Sequence, residues 1–179
     1  MNKLFSNISF VGGIHGVGKS TICRGICSQL DIQYLSASQV LKWSDMNTDE
    51  RNKNVQDISL TQDRLINGLL SIVKPNKHYL LDGHYCLFDK EGKVTQVPFE
   101  TFIAINPQSL HLIIGDVQII KHRIEYRDLR TYEYDKLKEM QDQEIAYSEE
   151  LSKRLNIQLS IGRQGNYSEI FSALYKFRV

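Results

Sequence analysis

Only three cysteines and three prolines occur in the 179 residues, and no apolar run approaches the length of a membrane span. Cys23, Cys27 and Cys86 are odd in number and lack the spacing of metal ligands, which excludes a disulfide framework or a zinc site as the organising feature. Buried free thiols in a reducing compartment are the expectation from such a set. An excess of one charge is missing as well: 22 basic residues stand against 21 acidic ones, for a net charge of +1. Binding to duplex nucleic acid calls for a clear basic surplus, so none is expected. The N-terminal stretch, with one lysine and no sustained apolar core ahead of the first glycines, reads as a strand and not as a signal peptide. A cytoplasmic chain forming one domain over 1–179 is therefore expected, with 41% apolar residues to fill its core.

Glycine, by contrast, is concentrated. Residues 13–21 read GIHGVGKST, three glycines within six positions followed by a lysine and two hydroxyls. Upstream, Ile8 to Val11 is a short apolar run of the kind a buried parallel strand makes. Downstream, Ile22, Ile26 and Leu30 recur at helical spacing, so a helix begins near Lys19. Gly13, Gly18, Lys19 and Ser20 match G-x-x-x-x-G-K-[ST], the phosphate-binding loop. Its physics is direct. Glycines let successive amides turn inward into an anion-binding nest, and the open helix N-terminus adds its own attraction. The predicted nucleotide-binding set is Gly13, His15, Gly16, Val17, Gly18, Lys19, Ser20 and Thr21, with ATP as ligand. Lys19 reaches the β- and γ-phosphates, and Ser20 ligates Mg²⁺.

Further strand-like runs fall at Ile32 to Leu35, Tyr79 to Asp82, Leu110 to Ile114 and Ile157 to Ile161, with helical stretches between them. That alternation predicts an α/β fold with a largely parallel, helix-covered sheet, whose ligands sit beyond the carboxyl ends of the strands. A short helix follows the second strand. From Asn47 to about Val73 the pattern is helical again, with Asn47 and Glu50 placed as a capping box. One straight helix of that length would run about 39 Å. The domain's radius of gyration should be about 16 Å, so a break is expected near Asp57-Ile58-Ser59. Pro75 ends the helix. DGHYCLFDKEGKV after the third strand reads as a loop, and a helix is expected from Val117. That helix runs into KHRIEYRDLRTYEYDKLK, which holds seven basic residues counting His122.

Asp82 closes the third strand, where a carboxylate can hold Mg²⁺ through water or orient an acceptor oxygen. The alternative is a turn cap, since Asp-Gly is ordinary turn chemistry. His84 follows on the loop, either as polar packing or as part of the site. Arg123, Arg127 and Arg130 form a second group, suited to stabilising a transferring phosphoryl from a lid over about 123–138. Interleaved Glu125, Asp128, Glu133 and Asp135 give the competing reading, a solvated helix face. Tyr126, Tyr132 and Tyr134 would pack such a lid or stack a base, and Trp43 would border a nucleotide or fill the core.

In order along nearly its whole length, the chain resembles the small P-loop nucleoside monophosphate kinases, most closely the archaeal-type adenylate kinases. GIHGVGKST matches their phosphate loop, YLSASQVLK the segment after the second strand, and YLLDGHY the Asp-x-His strand end. INPQSLHLIIGDVQIIKHRIEYRD resembles the stretch from an Asn-Pro pair to the Arg-Asp of the lid. The resemblance implies a three-layer fold on a five-stranded parallel core, with a short lid and acceptor-binding helices over about 36–73. It also implies γ-phosphoryl transfer from ATP, with Ser36 and Lys42 at the acceptor phosphate beside Asp82 and His84. The chain departs from the pattern at Ser38-Gln39, where the family carries Gly-Asp, and in TDERNKNVQD, where Arg51 is the available substitute for the family's arginines. Transfer to another acceptor, such as a polynucleotide end or a metabolite, and an ATP-driven switch or assembly factor are the other readings that fit the loop.

Overall fold

The computed structural model describes residues 5–47, 58–89 and 91–177. In chain order they form β1 (Ile8–Gly12), α1 (Lys19–Leu30), β2 (Gln33–Ser36), α2 (Ala37–Asn47), α3 (Ile58–Ile72), β3 (Tyr79–Asp82), β4 (Cys86–Phe88) and β5 (Val94–Gln96). There follow α4 (Phe99–Ile105), β6 (Ser109–Ile114), α5 (Val117–Asp128), α6 (Tyr134–Leu155), β7 (Leu159–Arg163) and α7 (Ser168–Lys176). Five strands make one parallel sheet in the order β2-β3-β1-β6-β7. Every residue of β1 and of β6 is buried. Successive strand residues point to opposite faces, so helices must cover the sheet on both sides. The expected α/β architecture is the observed one.

The sheet's register places the chemistry. Val11 of β1 pairs with Asp82, and Asp82 pairs with Ser36 of β2, so the carboxyl ends of three strands finish in one row. Gly83 then donates its amide to the Val11 carbonyl at 2.9 Å, extending the row by one residue. The phosphate loop leaves β1 at this edge and enters α1.

Several boundaries differ from expectation, each for a local reason. β2 begins at Gln33 because Asp31 closes α1 in the left-handed region (φ 54°) and Ile32 is spent on that turn. β7 begins at Leu159 because Ile157 donates its amide back to Ser152 to finish α6. The stretch expected to be a loop after Asp82 holds the antiparallel hairpin β4–β5. Asp89 builds its turn: Oδ1 accepts from the amides of Glu91 and Lys93 at 3.0 and 2.9 Å. α3 runs over Ile58–Ile72, ending before Pro75; Asp57 of the expected break and the residues ahead of it lie outside the described residues. Glu50 of the capping pair, Arg51 and the side chain of Trp43 lie outside the described residues, while Asn47 is the last residue of α2.

All three cysteines are buried and free. Burial pushes the Cys27 and Cys86 thiols up to about 11 and about 12, and Cys23 higher still, so all three are inert packing groups.

Candidate functional site

The loop between β1 and α1 is built as the motif requires. Gly18 is the N-cap of α1 in the left-handed region (φ 96°), and no side chain caps the helix, so its first amides are left for a ligand. Gly16 has φ 80°, and a Cβ there would lie 2.1 Å from Cγ2 of Ile124 on α5. Only glycine lets α5 close down on the loop at that point. Lys19 is 7% exposed. It folds back to donate to the carbonyls of Gly13 at 2.6 Å and Ile14 at 3.3 Å. Burial lowers its pKa, and the charges of Asp82 and Glu144 oppose that shift.

Opposite the loop, Asp82 Oδ2 accepts hydrogen bonds from Ser20 Oγ and from the Tyr34 hydroxyl, both at 2.8 Å. The turn-cap reading of Asp82 yields to one in which it faces the phosphate loop. Two hard oxygen groups side by side at a helix N-terminus are the donor chemistry that Mg²⁺ takes when phosphates and water complete its shell. Among the described residues no cluster of three or more His, Cys, Asp or Glu could hold a metal without such a ligand.

These groups border a cleft of about 590 Å³. Of the predicted residues, His15, Gly16, Gly18, Lys19, Ser20, Thr21, Ser36, Asp82, His84, Arg123 and Arg127 line it. Gly13 and Val17 lie behind it as the loop's buried support. Lys42 is exposed and does not border the cleft. Ser36 does, sharing a 3.0 Å hydrogen bond with Ser38.

The three arginines behave differently from one another. Arg123 donates to the Gly16 carbonyl at 2.9 Å and so ties α5 to the phosphate loop. Arg127 borders the cleft and pairs with Asp128, Nε to Oδ1 at 2.5 Å, which holds that carboxyl well below the usual range. Arg130 stays outside. It donates to the Tyr132 hydroxyl at 2.7 Å and stacks on that ring at 4.6 Å, the solvated-face alternative. Of the tyrosines in this stretch, Tyr132 packs against Val117, Ile124 and Leu137, whereas Tyr126 is 88% exposed.

His15 and His84 meet across the cleft with ring centroids 4.4 Å apart. Loss of surrounding water, then the His84 ring and the Lys19 and Arg127 charges, push His15 down to about 4, although part of its ring stays open to solvent. It is neutral at pH 7.

Three features escape sequence reasoning. Tyr34 is brought to Asp82 by strand register. Thr101 on α4 lines the far end of the cleft among Leu65, Leu87 and Phe102, its buried hydroxyl without a partner. Glu144 on α6 is wholly buried behind the site. A signal for it does exist: 137, 140, 144, 147 and 151 form the buried stripe of α6, and an acid at a core position stands out.

The family model described as an AAA domain matches residues 12–141, well over half of the 179. No curated protein matches the sequence. Among solved structures, a sugar kinase from Janibacter sp. superposes with a TM-score of 0.52 at 14% identity, over 97% of this chain and 94% of that one. An uncharacterised protein from Eubacterium ventriosum gives 0.51 at 13%, over 96% and 97%. A gluconokinase from Sinorhizobium meliloti gives 0.48 at 10%, over 97% and 90%. At these identities the first two speak to the fold alone. The protein has the α/β P-loop NTPase fold, and the chain belongs to the AAA domain family.

Proposed function

We propose that the protein is an ATP-dependent small-molecule kinase, working with Mg²⁺ and moving the γ-phosphoryl group of ATP to a nucleoside monophosphate or a comparable small acceptor in the cytoplasm. The observation that carries this is the shape of the cleft. One continuous space runs from the phosphate loop past Asp82 and His84 to a second end walled by α2, α3, α4 and the β4–β5 hairpin. An enzyme that only hydrolysed ATP would have no use for that second end; a kinase needs it for the acceptor.

The chain's own groups divide the work. The loop amides and Lys19 grip the triphosphate and counter charge as it moves to the leaving oxygen. Ser20 and Asp82 would hold Mg²⁺, which when bound neutralises the β- and γ-phosphates. Arg127 faces the transferring group, and the segment 123–138 serves as the lid that excludes water. Arg123 fixes that lid's base.

Acceptors other than monophosphates gain support from one observation. Lys42, placed by resemblance at the acceptor phosphate, is solvent-exposed and off the cleft. The acceptor end presents the hydroxyls of Ser36, Ser38 and Thr101 and the Gln62 amide among apolar walls. One screen decides. Purified protein with Mg·ATP is offered nucleoside monophosphates, nucleosides, sugars and oligonucleotide ends, and phosphorylated products are followed by phosphorus NMR against a no-acceptor control. A product with one acceptor class supports the kinase and names the acceptor. ATP consumption that no acceptor changes would leave the switch reading in its place.

A further inference from the structure

Thr101 carries a hydroxyl that the fold leaves unused. It is the third residue of α4, 4% exposed, and it borders the acceptor end of the cleft. A threonine in a helix ordinarily donates to the carbonyl three or four residues back. Here both carbonyls are engaged. That of Pro98 accepts from Thr101's own amide at 3.0 Å, and that of Val97 accepts from the Tyr147 hydroxyl at 2.7 Å. Thr101 Oγ1 is left buried with no hydrogen-bond partner. A valine would fill the same space without burying an unpaired polar atom, so packing alone does not account for the residue.

The surroundings say what kind of molecule would use it. Phe10 and Phe102 meet edge to face with ring centroids 5.3 Å apart, and with Leu41, Leu65 and Leu87 they give this end apolar walls. Polar groups are few: Thr101 on α4, the Gln62 amide on α3, and Ser36 and Ser38 at the entry to α2, with Ser36 paired in the sheet to Asp82. The basic side chains on the cleft, Lys19, Arg123 and Arg127, belong to the phosphate loop and the helix closed over it. Arg64, beside Leu65 on α3, donates to the Leu41 carbonyl at 3.4 Å and does not border the cleft. Among the described residues, no lysine or arginine borders the acceptor end. A phosphate dianion seated there would lose its water without a described cation to meet it, and a free sugar would turn hydroxyls against carbon. A flat heteroaromatic ring fits better. Its faces lie on apolar side chains, and its edge carries both donors and acceptors for a hydroxyl and an amide.

Resting on the kinase reading above, we propose that the acceptor is an uncharged alcohol of the nucleoside class, with Thr101 holding the edge of its ring. Its reactive hydroxyl is turned toward Ser36 and Asp82. In the transfer, that oxygen forms the bond to Pγ with its own electron pair. The bond from Pγ to the β–γ bridging oxygen breaks, its electrons leaving on ADP, and the hydroxyl proton passes to water. Thr101 touches the ring and not the reacting atoms, so it acts on affinity and on the choice of acceptor.

Binding and transfer are measured separately. Protein saturated with Mg²⁺ and the β,γ-imido analogue of ATP is titrated by calorimetry with adenosine, guanosine, cytidine and uridine, with their 5′-monophosphates, and with glucose and ribose. One nucleoside is expected to bind about tenfold or more tightly than its own monophosphate and than either sugar. Thr101→Val should weaken that nucleoside about tenfold without lowering the melting temperature, and Thr101→Ser should stay within about threefold of wild type. Unchanged affinity in a folded Thr101→Val, a preference for a monophosphate or a sugar, or no binding by any nucleoside overturns the proposal. If Thr101→Val does not fold, the wild-type preference alone decides. With Mg·ATP in place of the analogue, a phosphorylated nucleoside supports both readings. Phosphorylation of a monophosphate instead would overturn this proposal and keep the kinase. A nucleoside bound but not phosphorylated would remove the kinase reading and leave the nucleoside site standing.

Discussion

The most informative single side chain is Lys19, because its burial and its function pull in opposite directions. It is held on two loop carbonyls and loses pKa to burial, so the fold gains little from it. Lys19→Ala should therefore cut ATP turnover by about 10²–10³-fold or more while leaving the melting temperature within a few degrees. Turnover and thermal unfolding measured on the same preparation check both halves. Tyr34 predicts something smaller. Its hydroxyl is one of two donors on Asp82 Oδ2, and Tyr34→Phe removes a hydrogen bond worth about 1 kcal/mol. We expect roughly a fivefold loss of turnover and a shifted Mg²⁺ activation midpoint, with Ser20 still holding the carboxylate. At this scale the phosphate loop was legible because its parts are contiguous in sequence. Tyr34, Thr101 and Glu144 were not, because only strand register and helix packing bring them to the cleft.

Among the elements, α6 does more than cover the sheet. Gln141 binds both the amide and the carbonyl of Gly115 at 3.0 Å, Glu144 holds the turn after β3, and Tyr147 donates to the Val97 carbonyl at 2.7 Å. One helix thus fastens three loops at the site's edge, each through backbone. Gln141→Leu strips two bonds from a part-buried peptide and should cost about 2 kcal/mol, read from urea unfolding. It should also loosen α5, which starts just beyond Gly115, so the affinity for ATP falls with stability. The elements that the sequence made plain are those with long apolar signals, β1, β3 and β6 and the helices between. The β4–β5 hairpin stayed hidden because three-residue strands carry no period, and its stability comes from the Asp89 turn and from α6 beneath it. Arg123, Arg127 and Arg130 fell between: their place after β6 was readable, but which of them borders the cleft depends on helix phase and on the Tyr132 ring.

For the molecule as a whole, acid is the condition that weakens the fold. His111 sits in the centre of β6 with no exposed surface, and burial pushes its pKa down to about 3. Between that value and the ordinary 6.5, the unfolded chain binds a proton that the folded chain refuses. Its contribution to stability is complete above pH 6.5 and is lost as pH falls, at up to about 1.4 kcal/mol per pH unit. His15, also lowered, acts in the same direction. Urea unfolding followed from pH 7.5 to 5 should show this decline, and His111→Asn should flatten it even though that variant starts less stable. A slope that survives the substitution would assign the acid sensitivity elsewhere.

The sheet order carries a consequence for synthesis. β1 stands between β3 and β6, so the strand bearing the phosphate loop waits for residues 79–82 and then 109–114 before it has both neighbours. Non-local pairing of this kind forms late. Nascent chains arrested on the ribosome before Ser109 already contain all of GIHGVGKST, yet they should not be retained on immobilised ATP; release of the chain past Ile114 should switch retention on.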